Sequence, residues 1–204
     1  MKLLIGIATY KRINKLKRLL ASLKNQTYQD FDIHIVCDNN DIETAEEIKR
    51  LYPEIIVDVQ PEHKFVIGAW NFCVQSNINE KWNGFIGLVD DVELKPDALE
   101  KAVTFHQDRF IDGDGVIGFN QECPDHPEYT FKWFGQTLMG RKFIERYREV
   151  DYQICCPDYK HFFQDEEMYE YAFSIDKFYP CKQAILYHYH PGFCKSEHDE
   201  THDI

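Results

Sequence analysis

Residues 3–89 alternate short apolar runs with segments of helical spacing, and that alternation leaves few folds open. Leu3 to Ala8 is an apolar run ending in Thr9-Tyr10. Ile13, Leu16, Leu19, Leu20 and Leu23 then recur at helical intervals, with Lys11, Arg12, Lys15, Lys17 and Arg18 mostly on the other side. Phe31 to Cys37 predicts a second strand that closes at Asp38. The polar run Asp38-Asn39-Asn40-Asp41 is turn chemistry, and Asp41 suits the N-cap of a helix to about Leu51. Ile55 to Val59 predicts a third strand, Val66 to Asn77 a helix, and Gly84 to Val89 a buried strand. This β-α-β-α-β order implies an α/β fold with a mostly parallel, Rossmann-like sheet and helices on both faces.

The remainder is less regular. A helix is expected from Pro96 to about Arg109, a turn at Asp112-Gly113-Asp114-Gly115 and a strand from Val116 to Phe119. From Gln121 to Trp133 the pattern becomes polar-aromatic. Tyr129, Phe131, Trp133 and Phe134 suit either an acceptor-stacking surface or a half-buried strand. Helices are expected over Leu138–Tyr147 and Asp165–Ser174, a last strand over Ala184–Tyr187, and a mobile tail over 195–204.

A chain of 204 residues is most simply one domain with a real core. Its net charge of −12 argues against non-specific nucleic-acid binding. No run approaches the roughly 20 apolar residues of a membrane span, and the first apolar run is too short for a signal peptide. The seven cysteines are odd in number and include adjacent Cys155-Cys156, which predicts reduced thiols and a cytoplasmic setting. No Cys-x-x-Cys pair supports a zinc site.

Asp90-Asp91 are the most informative residues for function. They follow the apolar run Gly84–Val89 directly, at the strand end where ligands collect in open α/β sheets. Two adjacent carboxylates repel unless a cation or hydrogen-bond donors compensate. Hard divalent ions such as Mg²⁺ or Mn²⁺ take oxygen ligands and bridge carboxylates to phosphates. The pair therefore suggests a metal–phosphate site, against the plain alternative of a solvated turn.

Together these landmarks resemble family 2 glycosyltransferases of the GT-A fold. The resemblance is carried by Ile5-Gly6-Ile7-Ala8-Thr9-Tyr10-Lys11-Arg12, Gln26-Thr27-Tyr28, Ile35-Val36-Cys37-Asp38-Asn39, Gly68-Ala69-Trp70-Asn71 and Val89-Asp90-Asp91-Val92, in family order. It covers residues 3–100 well and the rest loosely. It implies one GT-A-like domain over 1–194, with 1–100 as the nucleotide-sugar half and 101–194 as the acceptor half.

The resemblance also implies residue roles. Thr9, Tyr10 and Asp38 would hold the nucleotide base, the ring by stacking and the carboxylate by a charge-assisted hydrogen bond. Lys64, or His63 beside it, would meet the base or diphosphate. Asp91 matches the metal ligand and Asp90 the ribose-facing position, with Mn²⁺ or Mg²⁺ as the cofactor. Val89 stands where many relatives carry a further aspartate. His188, in the late Tyr187-His188 motif, would approach the metal or diphosphate; His190 would face the same side of an extended strand. Asp165 is expected as the general base, with Glu166 as runner-up and Glu167 as a neighbour.

The function so implied is inverting, metal-dependent transfer of a sugar from a nucleoside-diphosphate donor, a UDP-sugar by preference, to a glycan or other hydroxyl acceptor. Two alternatives are a nucleotidyltransferase and a non-catalytic nucleotide- or sugar-binding protein. The first normally wants a Gly-rich loop after strand one, and Ala8-Thr9-Tyr10-Lys11-Arg12 has no glycine.

Overall fold

In the computed structural model, residues 1–130, 135–147, 153–159, 163–190 and 194 are described. The expected alternation is present as β1 (Leu3–Thr9), α1 (Ile13–Lys24), β2 (Phe31–Cys37), α2 (Ile42–Leu51), β3 (Ile56–Val59), α3 (Phe65–Ser76) and β4 (Gly84–Val89). These strands run parallel in the order β3-β2-β1-β4. Asp41 caps α2 as expected, its carboxylate accepting from the Thr44 backbone N–H at 3.3 Å. The other oxygen of Asp41 accepts from the Lys11 N–H, which ties the α2 start to the turn after β1.

Side-chain alternation along β1 divides the core in two. Leu3, Ile5 and Ile7 pack with α1, α2 and α4 (Ala98–Arg109) on one face. Leu4 and Ala8 pack on the other with α3, α5 (Arg141–Tyr147) and α6 (Gln164–Ser174). Helices thus cover both faces, as the α/β reading requires. At Gly87, on β4, a Cβ would stand 2.7 Å from the Trp70 ring. The bare backbone there lets Trp70 lie flat against the strand and donate its indole N–H to the Leu88 carbonyl at 3.1 Å.

The second half of the sheet departs from the expected elements. β5 (Val92–Leu94) follows the acidic pair, and β6 (Val116–Cys123) runs longer than expected before turning into β7 (His126–Thr130). The segment expected as a helix from Leu138 is instead β8 (Thr137–Gly140), with α5 starting only at Arg141. β8 is inserted antiparallel between β4 and β6, where all four residues are buried; burial in the sheet outweighs local helix spacing. Arg141 ends it, donating to the carbonyls of Ile78 and Glu80 at 2.6 and 2.8 Å.

β9 (Phe178–His188) is likewise longer than the four residues expected. Exposed Lys182 and Gln183 interrupt its apolar pattern at a register shift against β6. Its far end pairs antiparallel with β5, so His188 stands opposite Val92. The sheet order is β3-β2-β1-β4-β8-β6-β9-β5.

One cysteine expectation is corrected. Cys123 at the end of β6 and Cys194 are paired as a disulfide with their Cα atoms 5.8 Å apart, while Cys37, Cys73, Cys155, Cys156 and Cys181 are free thiols. Seventy-one residues separate the pair, so only the return of β9 alongside β6 brings them together. Among the described residues, no helix is long and apolar enough to cross a membrane. The side chains of Tyr129, Phe131, Trp133 and Phe134, and the tail over 195–204, lie outside the described residues.

Candidate active site

The parallel register decides where the site lies. Thr9 pairs with Cys37, and Ala8 with Val89, so Thr9, Asp38 and Asp90 leave the sheet side by side at its carboxyl edge. They open on a cavity of about 220 Å³, closed from the second half by Gln136, Gln164, Asp165 and His188. Thr9, Tyr10, Asp38, Asp90, Asp91, Asp165 and His188, seven of the residues singled out in the sequence, therefore line one space.

At one end of it, Asp38 is 4% exposed and accepts at both oxygens. One carboxylate oxygen accepts from the Lys64 N–H at 2.8 Å; the other accepts from the Phe65 N–H at 3.0 Å and from the His63 ring at Nδ1. Asp38 thus fastens the loop that opens α3. The His63 ring packs 3.9 Å from that of Phe65 and 5.9 Å from that of Tyr10, whose hydroxyl accepts from Asn39. Lys11, Asn39, Asn40 and Phe65 all have left-handed backbones. Such conformations cost energy in residues with a Cβ and gather at binding sites.

Lys64 belongs to this loop through its backbone only. Its side chain is half exposed, pairs with Glu62 at 3.0 Å and does not line the cavity. His63, named only as its substitute in the sequence reading, occupies the cavity wall.

At the other end lies the acidic pair. Asp90 is 2% exposed and accepts from the Thr9 hydroxyl at 2.7 Å and from Arg12 at 3.2 Å. Burial first, and then the Asp91 charge, push its carboxyl up to about 6 against the pull of Arg12 and Thr9. Asp91, 3% exposed, meets Arg12 at 3.7 Å and His188 Nε2 at 3.5 Å. Burial would raise this carboxyl too, but His188 and Arg12 outweigh it and hold it at about 2. Arg12 reaches both acids from the N-cap of α1. The sequence placed it in the right motif, but only the β1–β4 pairing reveals its partner.

The donor set suits a divalent cation. Asp91 Oδ1 is buried without a hydrogen-bond partner, and 3.5 Å is too long for His188 to provide one. His188 Nδ1 lies 3.1 Å from the Gln121 amide oxygen, and its Nε2 faces Asp91. The orphaned Asp91 oxygen calls for positive charge beside it. Among the described residues no three His, Cys, Asp or Glu side chains gather around a metal position. A cation here would complete its shell with substrate oxygens, as Mg²⁺ and Mn²⁺ commonly do.

From the second half, Asp165 stands in the first turn of α6 and lines the cavity, next to buried Gln164. Glu166 and Glu167 share that first turn but do not line the cavity. Gln121, Gln136 and Gln164 were not anticipated, since no spacing in the sequence links them to the acidic pair.

The family described as glycosyl transferase family 2 matches residues 4–172. No curated protein sequence matches the chain. Among solved structures, S. aureus TarS in complex with UDP superposes with a TM-score of 0.71 at 13% identity, over 92% of this chain and 60% of that one. The mannosyltransferase PcManGT from Pyrobaculum calidifontis, in complex with GDP-Man and Mn²⁺, gives 0.67 at 11% identity, over 91% and 56%. The chain thus spans less than two thirds of the length of either, and at these identities the likeness is one of fold.

Proposed function

The chain belongs to glycosyl transferase family 2, and from that premise we propose that it transfers a sugar from a UDP-linked donor to a hydroxyl acceptor, with inversion and with Mn²⁺ or Mg²⁺. The observation that carries this reading is the single cavity joining the Thr9, Asp38 and Asp90 strand ends to Asp91, His188 and Asp165. UDP in TarS, and GDP-Man with Mn²⁺ in PcManGT, support a nucleoside diphosphate and a divalent ion as ligands of this fold.

In this account the nucleoside lies toward Tyr10 and His63 and the diphosphate toward Asp91 and His188. A bound cation would supply Lewis-acid charge to the diphosphate oxygens. Thr9 and Arg12 keep Asp90 oriented, and the Arg12 guanidinium adds positive charge where the diphosphate departs. The acceptor hydroxyl attacks the anomeric carbon from the face opposite the diphosphate. As the new C–O bond forms and the bond to the diphosphate oxygen breaks, the hydroxyl proton passes to the Asp165 carboxylate. Glu166 is the second candidate for that base. The acceptor is a glycan or another hydroxyl compound.

Asp165→Asn tests the assignment. Turnover is expected to fall about 10²–10⁴-fold while donor affinity stays unchanged. Wild-type turnover in this variant, with loss in Glu166→Gln, would move the base to Glu166. A wild-type chain that binds donor yet turns over no acceptor or water would instead be a binding protein.

A further inference from the structure

We propose that the sugar this chain transfers carries an acetamido group at C2, whose methyl sits in an apolar recess beside Asp165. This rests on the sugar-transfer reading above and adds to it the class of sugar.

The recess is a second cavity of about 20 Å³, room for one small group. Trp70, Gly135, Gln164 and Asp165 line both it and the main cavity, so they form its mouth. Met139, Ile154, Cys155 and Met168 wall its depth, together with Thr137 and the bare backbone of Gly87. Met168 lies three residues after Asp165 on α6, so one helix face carries both the candidate base and the recess wall. The wall at Ile154 and Cys155 is held from behind by buried Asn71. Its amide oxygen accepts from both of their N–H groups, at 2.9 and 3.0 Å, and its amide N–H donates to the Cys155 carbonyl at 2.9 Å. An apolar space of this size gives water too few partners and suits a methyl group instead.

The mouth is polar where the depth is apolar. Gln136, between Gly135 and Thr137, lines the main cavity, and its amide oxygen is buried without a hydrogen-bond partner. That oxygen calls for an N–H or O–H donor. An acetamido group ends in a methyl and carries an N–H behind it, so it answers both demands. A 6-deoxy sugar offers the methyl alone, and the hydroxyl of a plain hexose would lose its water in the recess. C2 is bonded to the anomeric carbon, the atom attacked beside Asp165, so its substituent stays close to the mouth.

UDP-N-acetylglucosamine and UDP-glucose, and the corresponding galacto pair, differ only at this group. In calorimetric titrations with Mn²⁺, the wild-type chain should bind the acetamido member of one pair at least about tenfold more tightly, the gain expected of one buried methyl and one hydrogen bond. Cys155→Met fills the recess and should bring that ratio to about 1, with unchanged affinity for UDP itself as the sign of a folded site. Met168→Ala enlarges the recess. An N-propanoyl donor, bound more weakly than the N-acetyl donor by wild type, should become the tighter of the two in that variant. A wild-type ratio near 1 in both pairs with UDP bound, a ratio kept in Cys155→Met, or a gain shown by UDP-6-deoxyglucose instead would overturn the proposal while leaving the nucleotide site standing. Binding of neither UDP nor a UDP-sugar would remove that site, and this proposal with it.

Discussion

Asp38 and Asp91 are both buried carboxylates just beyond strand ends, yet they are held in opposite ways. Asp38 sits in the parallel half of the sheet, and both of its oxygens accept from the chain, from two backbone N–H groups and a histidine. Asp91 sits where β4 gives way to the antiparallel half, and one of its oxygens is buried without a hydrogen-bond partner. The chain therefore completes the first site by itself and leaves the second to be completed by a ligand. A carboxylate held at both oxygens braces its loop; one with an orphaned oxygen calls for positive charge.

The largest effect that separates the two ends is expected from Asp91→Asn. The amide keeps the shape but loses the charge, so turnover should drop by about 10³-fold or more, as for other losses of transition-state charge stabilisation. The thermal midpoint should fall modestly, because the amide loses the attraction of Arg12 and His188 while one Asp91 oxygen contributes no hydrogen bond to the fold. A large fall in the midpoint with turnover retained would reverse the comparison.

Gly87→Val probes the platform between the two ends. Its Cβ would meet the Trp70 ring at 2.7 Å, so overpacking should cost about 1–3 kcal/mol, read by chemical denaturation. An unchanged midpoint would mean that Trp70 is free to shift.

Acid should weaken the parallel half through His34. This ring is 1% exposed, faces Asp58 through Nε2 at 2.9 Å and Asn77 through Nδ1 at 2.7 Å. Burial, outweighing the help of Asp58, lowers its pKa from the ordinary 6.5. Burial also lowers His106, against the Gly115 carbonyl. Folded-state pKa values below the unfolded one mean that the unfolded chain takes up protons first. Stability is thus full above about pH 6.5 and lost as pH falls through that value toward the folded pKa values. Denaturation midpoints at pH 7.5 and 5.5 should show the loss, and His34→Gln should reduce it. Because Asp90, raised to about 6, takes up a proton in the folded state and opposes this loss, the His34→Gln comparison decides: an unchanged pH dependence in that variant would contradict the assignment.

The smallest effect is expected at Lys64. Its backbone N–H serves Asp38, but its side chain is turned to Glu62, so Lys64→Ala should leave donor affinity within about twofold. A tenfold loss would show that the side chain swings into the cavity when donor binds.

The same contrast explains what the sequence disclosed. In the parallel half β1 and β4 are continuous apolar runs, β2 and β3 are interrupted only at Asp32, His34 and Asp58, and α1 and α2 carry clean stripes, so Leu3–Val89 could be read element by element. Thr9, Asp38 and Asp90 follow because a parallel sheet puts successive strand ends on one edge. In the second half the strands are short or interrupted. Leu138 to Gly140 is buried in a strand by neighbours more than twenty residues away in sequence, β4 and β6. Long-range pairing of this kind leaves no local period. The same pairing sets Gln121 behind His188 and joins Cys123 to Cys194. The contacts of Asp38 were equally hidden, since backbone N–H groups of a later loop carry no side-chain signature. Lys64 was chosen for its charge, whereas the loop presents its neighbour His63.

The most direct test of the central claim is calorimetric titration of UDP into the chain in Mn²⁺ and again in EDTA. The account predicts saturable binding with Mn²⁺ that weakens at least tenfold in EDTA and is lost in Asp91→Asn but not in Asp165→Asn. Absence of binding in both conditions, or binding indifferent to Mn²⁺ and to Asp91, would contradict it.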